Sequence, residues 1–388
     1  MKETKFKNTE IGEIPEEWET CTILSQSNKL VVAFVGTCEK YYTNKGEGVM
    51  MLRTGDLKER SIDNTNIKYI SYSFHNANKK SQLKKGDILI ARHGSNGHGV
   101  IYDKNDEANS LNFVIVHLID NEYLNSYLVY CLDTNIVREQ IEAATAGSTQ
   151  KVINTKAIGE LIVPKPNILE QQRIASALTS IDNLISSLGK LIEKKKNIKQ
   201  GTMQQLLTGK IRLKEFNEPW VEKKLGELFE IGNGKDYKNL KSGPIPVFGT
   251  GGLMTYVNEY LYDGETICIG RKGTIDKPQY HKGKIWTVDT LFYTYRFKDI
   301  NVKYLYYLST TINWNEYNTA TGVPSLTSQN ILKIKVVLPL EEEQQAIATI
   351  LTKMDDEITA LEAKKAKYEA IKQGMMQQLL TGRIRLIS

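Results

Sequence analysis

The feature that most constrains this 388-residue chain is a duplicated stretch: residues 170–213 recur at 343–386, 173 positions further on, with no gap. Glu170, Gln171, Gln172, Ile174, Ala175 and Leu178 return as Glu343, Gln344, Gln345, Ile347, Ala348 and Leu351. The ends are closer still, with Lys199-Gln200-Gly201 and Met203 to Gly209 (MQQLLTG) returning as Lys372-Gln373-Gly374 and Met376 to Gly382. A unit this long is not a solenoid repeat; it is a domain with a helix attached, present twice.

Within each copy the apolar residues fall on a helical seam. Ile174, Leu178, Ile181, Ile185, Leu188 and Ile192 are spaced 4, 3, 4, 3 and 4, and Ile347, Leu351, Met354, Ile358 and Leu361 are spaced 4, 3, 4 and 3. That alternation keeps one stripe facing a partner helix. Some 37 residues at 1.5 Å each make a rod of roughly 55 Å, and a lone rod with one apolar stripe is marginal in water. The two helices are therefore each other's natural partners. Antiparallel pairing would relate the two domain-plus-helix units by a pseudo-two-fold axis, with the domains at opposite ends. Gly209 is placed to end the first helix, and Pro164 and Pro166 to stop the strand before it.

Residues 1–167 read as a mixed, largely β domain. Val49 to Leu52, Asp87 to Ala91, Phe113 to Leu118 and Gly159 to Val163 are short β-rich runs bounded by turn residues, and one helix is predicted from Glu122 to Ala144. Residues 214–340 repeat this domain weakly. Trp220 follows Glu218-Pro219 as Trp18 follows Pro15-Glu16-Glu17. Gly264 to Thr274 answers Gly86 to Ser95 with one residue inserted, and Tyr304-Leu305 answers Tyr127-Leu128. Gly147 and Pro164 stand 17 apart, as do Gly322 and Pro339. Elsewhere the domains share almost nothing, the pattern expected of one binding framework carrying different loops. The expectation is an α+β chain: domain 1–167, spacer helix 168–213, domain 214–340, spacer helix 341–388, with two related mixed α/β domains separated by two long antiparallel coiled-coil helices.

Hydrophobic and charged contents of 40% and 25% are those of a soluble globular protein. No apolar run approaches the roughly 18 residues of a membrane helix, and the N-terminus lacks a signal peptide, so a cytoplasmic protein without membrane association is expected. Cys21, Cys38, Cys131 and Cys268 have no metal or disulfide spacing and read as free thiols, and His75, His93, His98, His117 and His281 form no ligand set. The net charge is +6, with +5 on 168–213, +3 on 214–340 and −1 on each of 1–167 and 341–388. Nucleic acid is a permitted partner, but charge alone does not demand it.

Catalytic signatures are missing. The residues five positions before the Gly-Lys pairs are Leu184, Gln204, Phe229 and Pro278, so there is no P-loop. No two prolines adjoin, which excludes the Asn/Asp-Pro-Pro-Tyr/Phe signature of amino-group DNA methyltransferases. Phe229 to Gly234 and Phe248 to Gly252 read as turns in a β-rich domain rather than cofactor loops. The chain is expected to do no covalent chemistry.

The order domain, helix, related domain, near-identical helix, with Glu-Gln-Gln-x-Ile-Ala opening each helix after a proline, resembles the specificity subunit of type I restriction-modification systems. The resemblance covers essentially the whole chain and is most specific at Pro164 to Gln172, Pro339 to Gln345 and the two Gln-Gln-Leu-Leu-Thr-Gly endings. It implies a non-catalytic subunit whose two target-recognition domains each read half of a bipartite site in double-stranded DNA. The paired helices would set the separation and dock two methyltransferase subunits, which bind the S-adenosylmethionine that this chain does not. Two motor-nuclease subunits would complete the restriction form.

Candidate DNA-contacting residues are Arg92, His93, Ser95 and Asn96 in a Gly-punctuated turn, and Arg271, Lys272 and Thr274 in the matching turn. Arg and Lys address guanine O6 and N7, Asn pairs with adenine, and all can meet phosphate. Weaker candidates are Thr149, Gln150 and Lys151, with Ser325 and Thr327 in the second copy, and Arg53 and Thr54 after another short strand. Tyr256, Tyr260 and Tyr293 read as packing the second sheet. The rival reading is a coiled-coil scaffold whose end domains bind protein or glycan.

Overall fold

The computed structural model of the chain describes residues 4–58, 60–92, 97–120, 122–145 and 152–387. The fold separates into two compact units, Met1–Ser187 with Lys365–Ser388, and Leu188–Lys364. Each unit joins one β-rich domain to the opening half of one long helix and the closing half of the other.

In the first unit a four-stranded antiparallel sheet runs in the order Gly99–Ile101, Ile88–Ala91, Phe113–Leu118, Ser27–Val32. A five-stranded mixed sheet follows the order Gln82–Leu83, Ala108–Leu111, Val49–Arg53, Lys68–Ile70, Tyr42–Thr43. The run Ile88–Ala91 is apolar throughout because both its faces are covered. Ile88 and Ile90 enter the core that also holds Tyr127, Ile174 and Leu178, while Leu89 and Ala91 enter one built on Leu52, Tyr102 and Phe113. Strand side chains alternate between faces, so a strand between two cores loses the usual apolar-polar alternation.

The helix predicted over 122–144 is instead two, Asn125–Cys131 and Asn135–Thr145. The Thr134 hydroxyl donates to Cys131 O (2.7 Å) and accepts from Val137 N (3.4 Å), closing one helix and opening the next. The strand expected over 159–163 also shifts: residues Thr155–Gly159 are helical and the strand is Ile162–Lys165. Pro164 sits inside it rather than stopping it. Among the described residues the strand pairs only with Glu19–Thr22, so it has an open side on which a missing N–H is tolerated.

In the second unit a single six-stranded sheet has the order Glu230–Asn233, Leu291–Tyr295, Tyr262–Gly270, Gln279–Thr287, Ile245–Gly249, Gly252–Val257. Its core gathers Ile267, Phe292, Tyr304, Leu308 and Trp314 with Ile347 and Leu351 of the second long helix. Tyr293 is half-buried and stacks on Tyr262. Tyr256 and Tyr260 stand about half exposed, so they do not pack the sheet as expected. They lie on or beyond Gly252–Val257, which is an edge strand among the described residues.

The long helices are Ile168–Leu206 and Glu341–Leu379, 39 residues each. Within each unit they run antiparallel. In the first, Asp182 pairs with Lys372 while Glu170, earlier in its helix, pairs with the later Arg385. In the second, Lys199 pairs with Asp355 while Lys196 reaches Glu362. Along the seam Ile174, Leu178, Ile181, Leu188, Ile192, Ile347, Leu351 and Ile358 are buried, and Ile185, Met354 and Leu361 half-buried. No described helix is long and apolar enough to cross a membrane.

Candidate nucleic-acid interface and the clasped helix ends

Arg92 and Arg271 hold equivalent places in the two domains. Each follows a core strand and takes a backbone bond across to the neighbouring strand's flank: Arg92 N donates to Asn112 O (3.1 Å), and Arg271 N to Thr290 O (2.8 Å). Each carbonyl then accepts from the residue before a short helix, Ile153 N for Arg92 (3.0 Å) and Leu326 N for Arg271 (2.8 Å). Those helices are capped at matching positions, by Asn154 accepting from Ala157 N and Thr327 accepting from Asn330 N. The Thr327 hydroxyl is thus tied to a cap.

The side chains differ in freedom. Arg92 is half-buried and its Nε donates to Ile153 O (3.2 Å). Arg271 and Lys272 are exposed, with Arg271 Nη1 reaching Asp289 O (3.3 Å). Ser325 lies beside Lys272 through an isolated bridge, and Gly273 N donates to Pro324 O (2.9 Å), so Arg271, Lys272, Thr274 and Ser325 share one loop cluster. In the first domain Arg53 registers with Leu111 of the five-stranded sheet, and the next residue, Asn112, accepts from Arg92 N at the end of the four-stranded sheet, so one short segment holds both arginines' backbones. Arg53 is committed there: its Nε and Nη2 grip Asp56 (3.1 and 2.7 Å), and Nη2 also donates to Asn66 O. Thr54 begins the 3₁₀ turn that Asp56 closes. His93, Ser95, Asn96, Thr149, Gln150 and Lys151 lie outside the described residues.

Just beyond the Arg92 turn, His98 binds Asp133, which also pairs with Arg60, and the Arg60 guanidinium lies 3.8 Å over the Tyr130 ring. Burial pushes the Asp133 carboxyl up, but His98 and Arg60 more than offset it and hold it below its ordinary value. No described group of three or more His, Cys, Asp or Glu side chains could hold a metal ion.

The repeated helix motif has its own geometry. Arg385 closes on Glu170 through two parallel bonds (2.6 and 2.8 Å), with Trp18 Nε1 donating to the same carboxylate (3.0 Å). Arg212 closes on Glu343 in the same way (2.7 and 2.7 Å) beside Trp220. Gln171 accepts from Leu124 N and donates to Pro166 O; Gln344 accepts from Asn301 N and donates to Pro339 O. The glutamine thus ties the start of each long helix to the cap of a domain helix and to the preceding proline. Gly209 and Gly382 take left-handed conformations (φ 68° and 69°), turning the chain so that the arginine three residues on can reach back. Tyr130 donates to Asp182 (2.8 Å) and Tyr307 to Asp355 (2.7 Å), completing the match. Burial raises the Tyr130 hydroxyl to about 12. The Glu-Gln-Gln openings and Gly endings stand out in the sequence without their roles, because the arginine that clasps each glutamate lies 215 residues from Glu170 and 131 from Glu343.

From 198 to 213, fourteen of sixteen positions are identical to 371–386, the exceptions being Thr202/Met375 and Lys210/Arg383. Ile198, Gln200, Gly201, Gln204 and Gln205 on the helix and Thr208 just after it are exposed; all six residues recur in the second copy, where Ile371, Gln373 and Gln377 are exposed and Gly374, Gln378 and Thr381 half-buried. Ile198, Ile371, Ile211 and Ile384 are 46%, 40%, 50% and 52% exposed.

Comparison with known proteins accounts for this plan. The sequence matches the type I restriction modification DNA specificity domain at residues 3–200 and again at 217–373. Over 99% of its length it is 29% identical to a Methanocaldococcus jannaschii protein assigned as the specificity subunit of a type I restriction enzyme, MjaX, 98% of which is covered. It is 25% identical, over 99% of the chain and 97% of the relative, to the specificity subunit of the MjaVIII type I restriction enzyme of the same organism. The crystal structure of the S subunit of a type I restriction-modification system from M. genitalium superposes with a TM-score of 0.65 at 21% identity, covering 94% of this chain and 96% of that one. Matched in both halves and across nearly its full length, the chain belongs to the type I restriction-modification specificity (S) subunits, the non-catalytic subunits of these enzymes.

Proposed function

We propose that this chain reads a bipartite sequence in double-stranded DNA for a type I restriction-modification complex, one half-site per domain. The observation that carries this reading is the equivalent anchoring of Arg92 and Arg271 in domains whose sheets otherwise differ. A shared frame with different surroundings suits two readers of one kind aimed at two sequences. Arg92, Arg271, Lys272, Thr274 and Ser325 contact bases or phosphates, together with His93, Ser95, Asn96, Thr149, Gln150 and Lys151. Arg53 and Thr54 support the first reading surface, Arg53 chiefly through Asp56, and Thr327 the second through its cap.

The antiparallel helices hold the half-sites at a fixed separation. The repeated outer faces of the helix ends, one in each unit, dock two methyltransferase subunits. Those subunits carry S-adenosylmethionine and methylate adenine, and two motor-nuclease subunits join for restriction. The near-neutral first domain fits a reader that grips DNA well only when partners help enclose it.

Methylome sequencing of cells with and without the gene tests the reading, and a split, strand-specific adenine motif should depend on it. Arg92→Ala should relax one half of that motif and Arg271→Ala the other. Unchanged methylation on deletion would refute DNA reading. So would complexes whose retention on a defined duplex is insensitive to salt and to both substitutions, which would favour a protein- or glycan-binding scaffold.

A further inference from the structure

In the second domain the hairpin joining Ile245–Gly249 to Gly252–Val257 turns at Thr250 and Gly251. Phe248 to Gly252 has the sequence of an ordinary turn, yet its position is not ordinary. A Cβ placed on Gly273 would stand 3.7 Å from the Thr250 hydroxyl, so the hairpin tip borders the loop that carries Arg271 and Lys272. That loop in turn borders Ser325. Three separate segments therefore meet at one end of the domain.

The tip is also held from within. Gln279 Nε2 donates to Gly249 O (3.0 Å) and Thr250 O (3.4 Å). Its Oε1 lies 3.2 Å from His281 Nε2, and the His281 ring stacks on Phe248 with centroids 3.7 Å apart. A fixed amide with both ends engaged sets the height and angle of the tip. Outward, a Cβ on Gly251 or Gly252 would meet nothing within 4 Å, which leaves the backbone free to approach a surface closely. Among the described residues the Thr250 hydroxyl has no hydrogen-bond partner of its own.

Resting on the function proposed above, we infer that the Gly249–Gly252 tip is a DNA-contacting element of the second domain, with Thr250 addressing the half-site and Gln279 its positioning residue. A threonine hydroxyl can donate to or accept from a base edge, and its methyl can meet a thymine methyl, while Arg271 and Lys272 alongside supply phosphate contacts. A rigid support for a short polar side chain is what discrimination between bases requires.

The test uses the complex of the full chain with its methyltransferase subunit, and duplex libraries randomised at each half-site in turn. Thr250→Ala is a surface change that leaves the hairpin ladder intact; Gln279→Leu removes the support. Both should broaden the preference at the half-site that Arg271→Ala also alters, by about fivefold or more at one or two positions. The half-site altered by Arg92→Ala and the spacing should stay as in the parent. If Thr250→Ala leaves the preference unchanged, or if both half-sites lose methylation equally, the assignment is wrong. A parent complex that marks no split motif would overturn the DNA-reading function itself, and this assignment with it.

Discussion

Arg385 and Glu170 stand 215 residues apart in sequence and meet through a bidentate pair that is almost wholly buried, Glu170 being 1% exposed and the Arg385 side chain 7%. Adding 173 to Glu170 and to Arg212 gives Glu343 and Arg385, so each glutamate is held by the arginine that ends the other copy. Neither clasp can form from one repeat alone.

Removing one partner of a buried, hydrogen-bonded pair leaves the other charge unmatched, which costs about 3–5 kcal/mol. Arg385→Ala should therefore destabilise the first unit by about that much in denaturant unfolding of the full chain. Arg212→Ala should cost less, because the Arg212 side chain is 27% exposed. Equal losses would mean that burial and the Trp18 bond to Glu170 contribute nothing.

The His281 imidazole is pushed down to about 4 by burial against Phe248. A depressed folded value means that the unfolded chain binds the proton more readily between about 6.5 and 4. The resulting stability is complete above 6.5 and is lost as pH falls through that window. His281→Phe keeps the stacking and removes the titration, so it should flatten the acid limb of a thermal-unfolding series. An unchanged limb would place the titrating group elsewhere.

The repeated outer face of each helix end predicts two equivalent docking sites. Ile198→Glu or Ile371→Glu alone should give complexes with one methyltransferase subunit, and both together none, as read by native mass spectrometry. Both isoleucines are exposed, so either change should otherwise leave stability unchanged within about 0.5 kcal/mol. Full occupancy in the double variant would remove this face from the interface.

If the helices are the ruler, inserting one heptad in each lengthens the spacer by about 10 Å, or roughly three base pairs. The gap between methylated half-sites should grow accordingly in the methylome of cells carrying the insertion. A constant gap would mean that something other than helix length sets it.

Much of this was legible in the sequence because it is local or periodic. The 4-3 spacing of Ile174 to Ile192 and of Ile347 to Leu361 reports a helix stripe directly, and the offset of 173 aligns the two copies without any structure. The 3.5-residue period already says that such a stripe must face another helix. Strand pairing is different. An apolar run such as Ile88–Ala91 says that it is buried but not which strands flank it, and the break at Thr134 depended on one hydroxyl choosing backbone partners. The reading loops were located by their glycines, whereas Thr250 became a candidate only when folding laid its hairpin beside Gly273. The sequence by itself determined the two helices, the duplication and hence the family, since these live in short-range periodicity and repetition. Only the tertiary structure decided that Glu170 answers to Arg385 rather than Arg212, and that three distant loops share one surface, because those contacts depend on chain closure over tens to hundreds of residues.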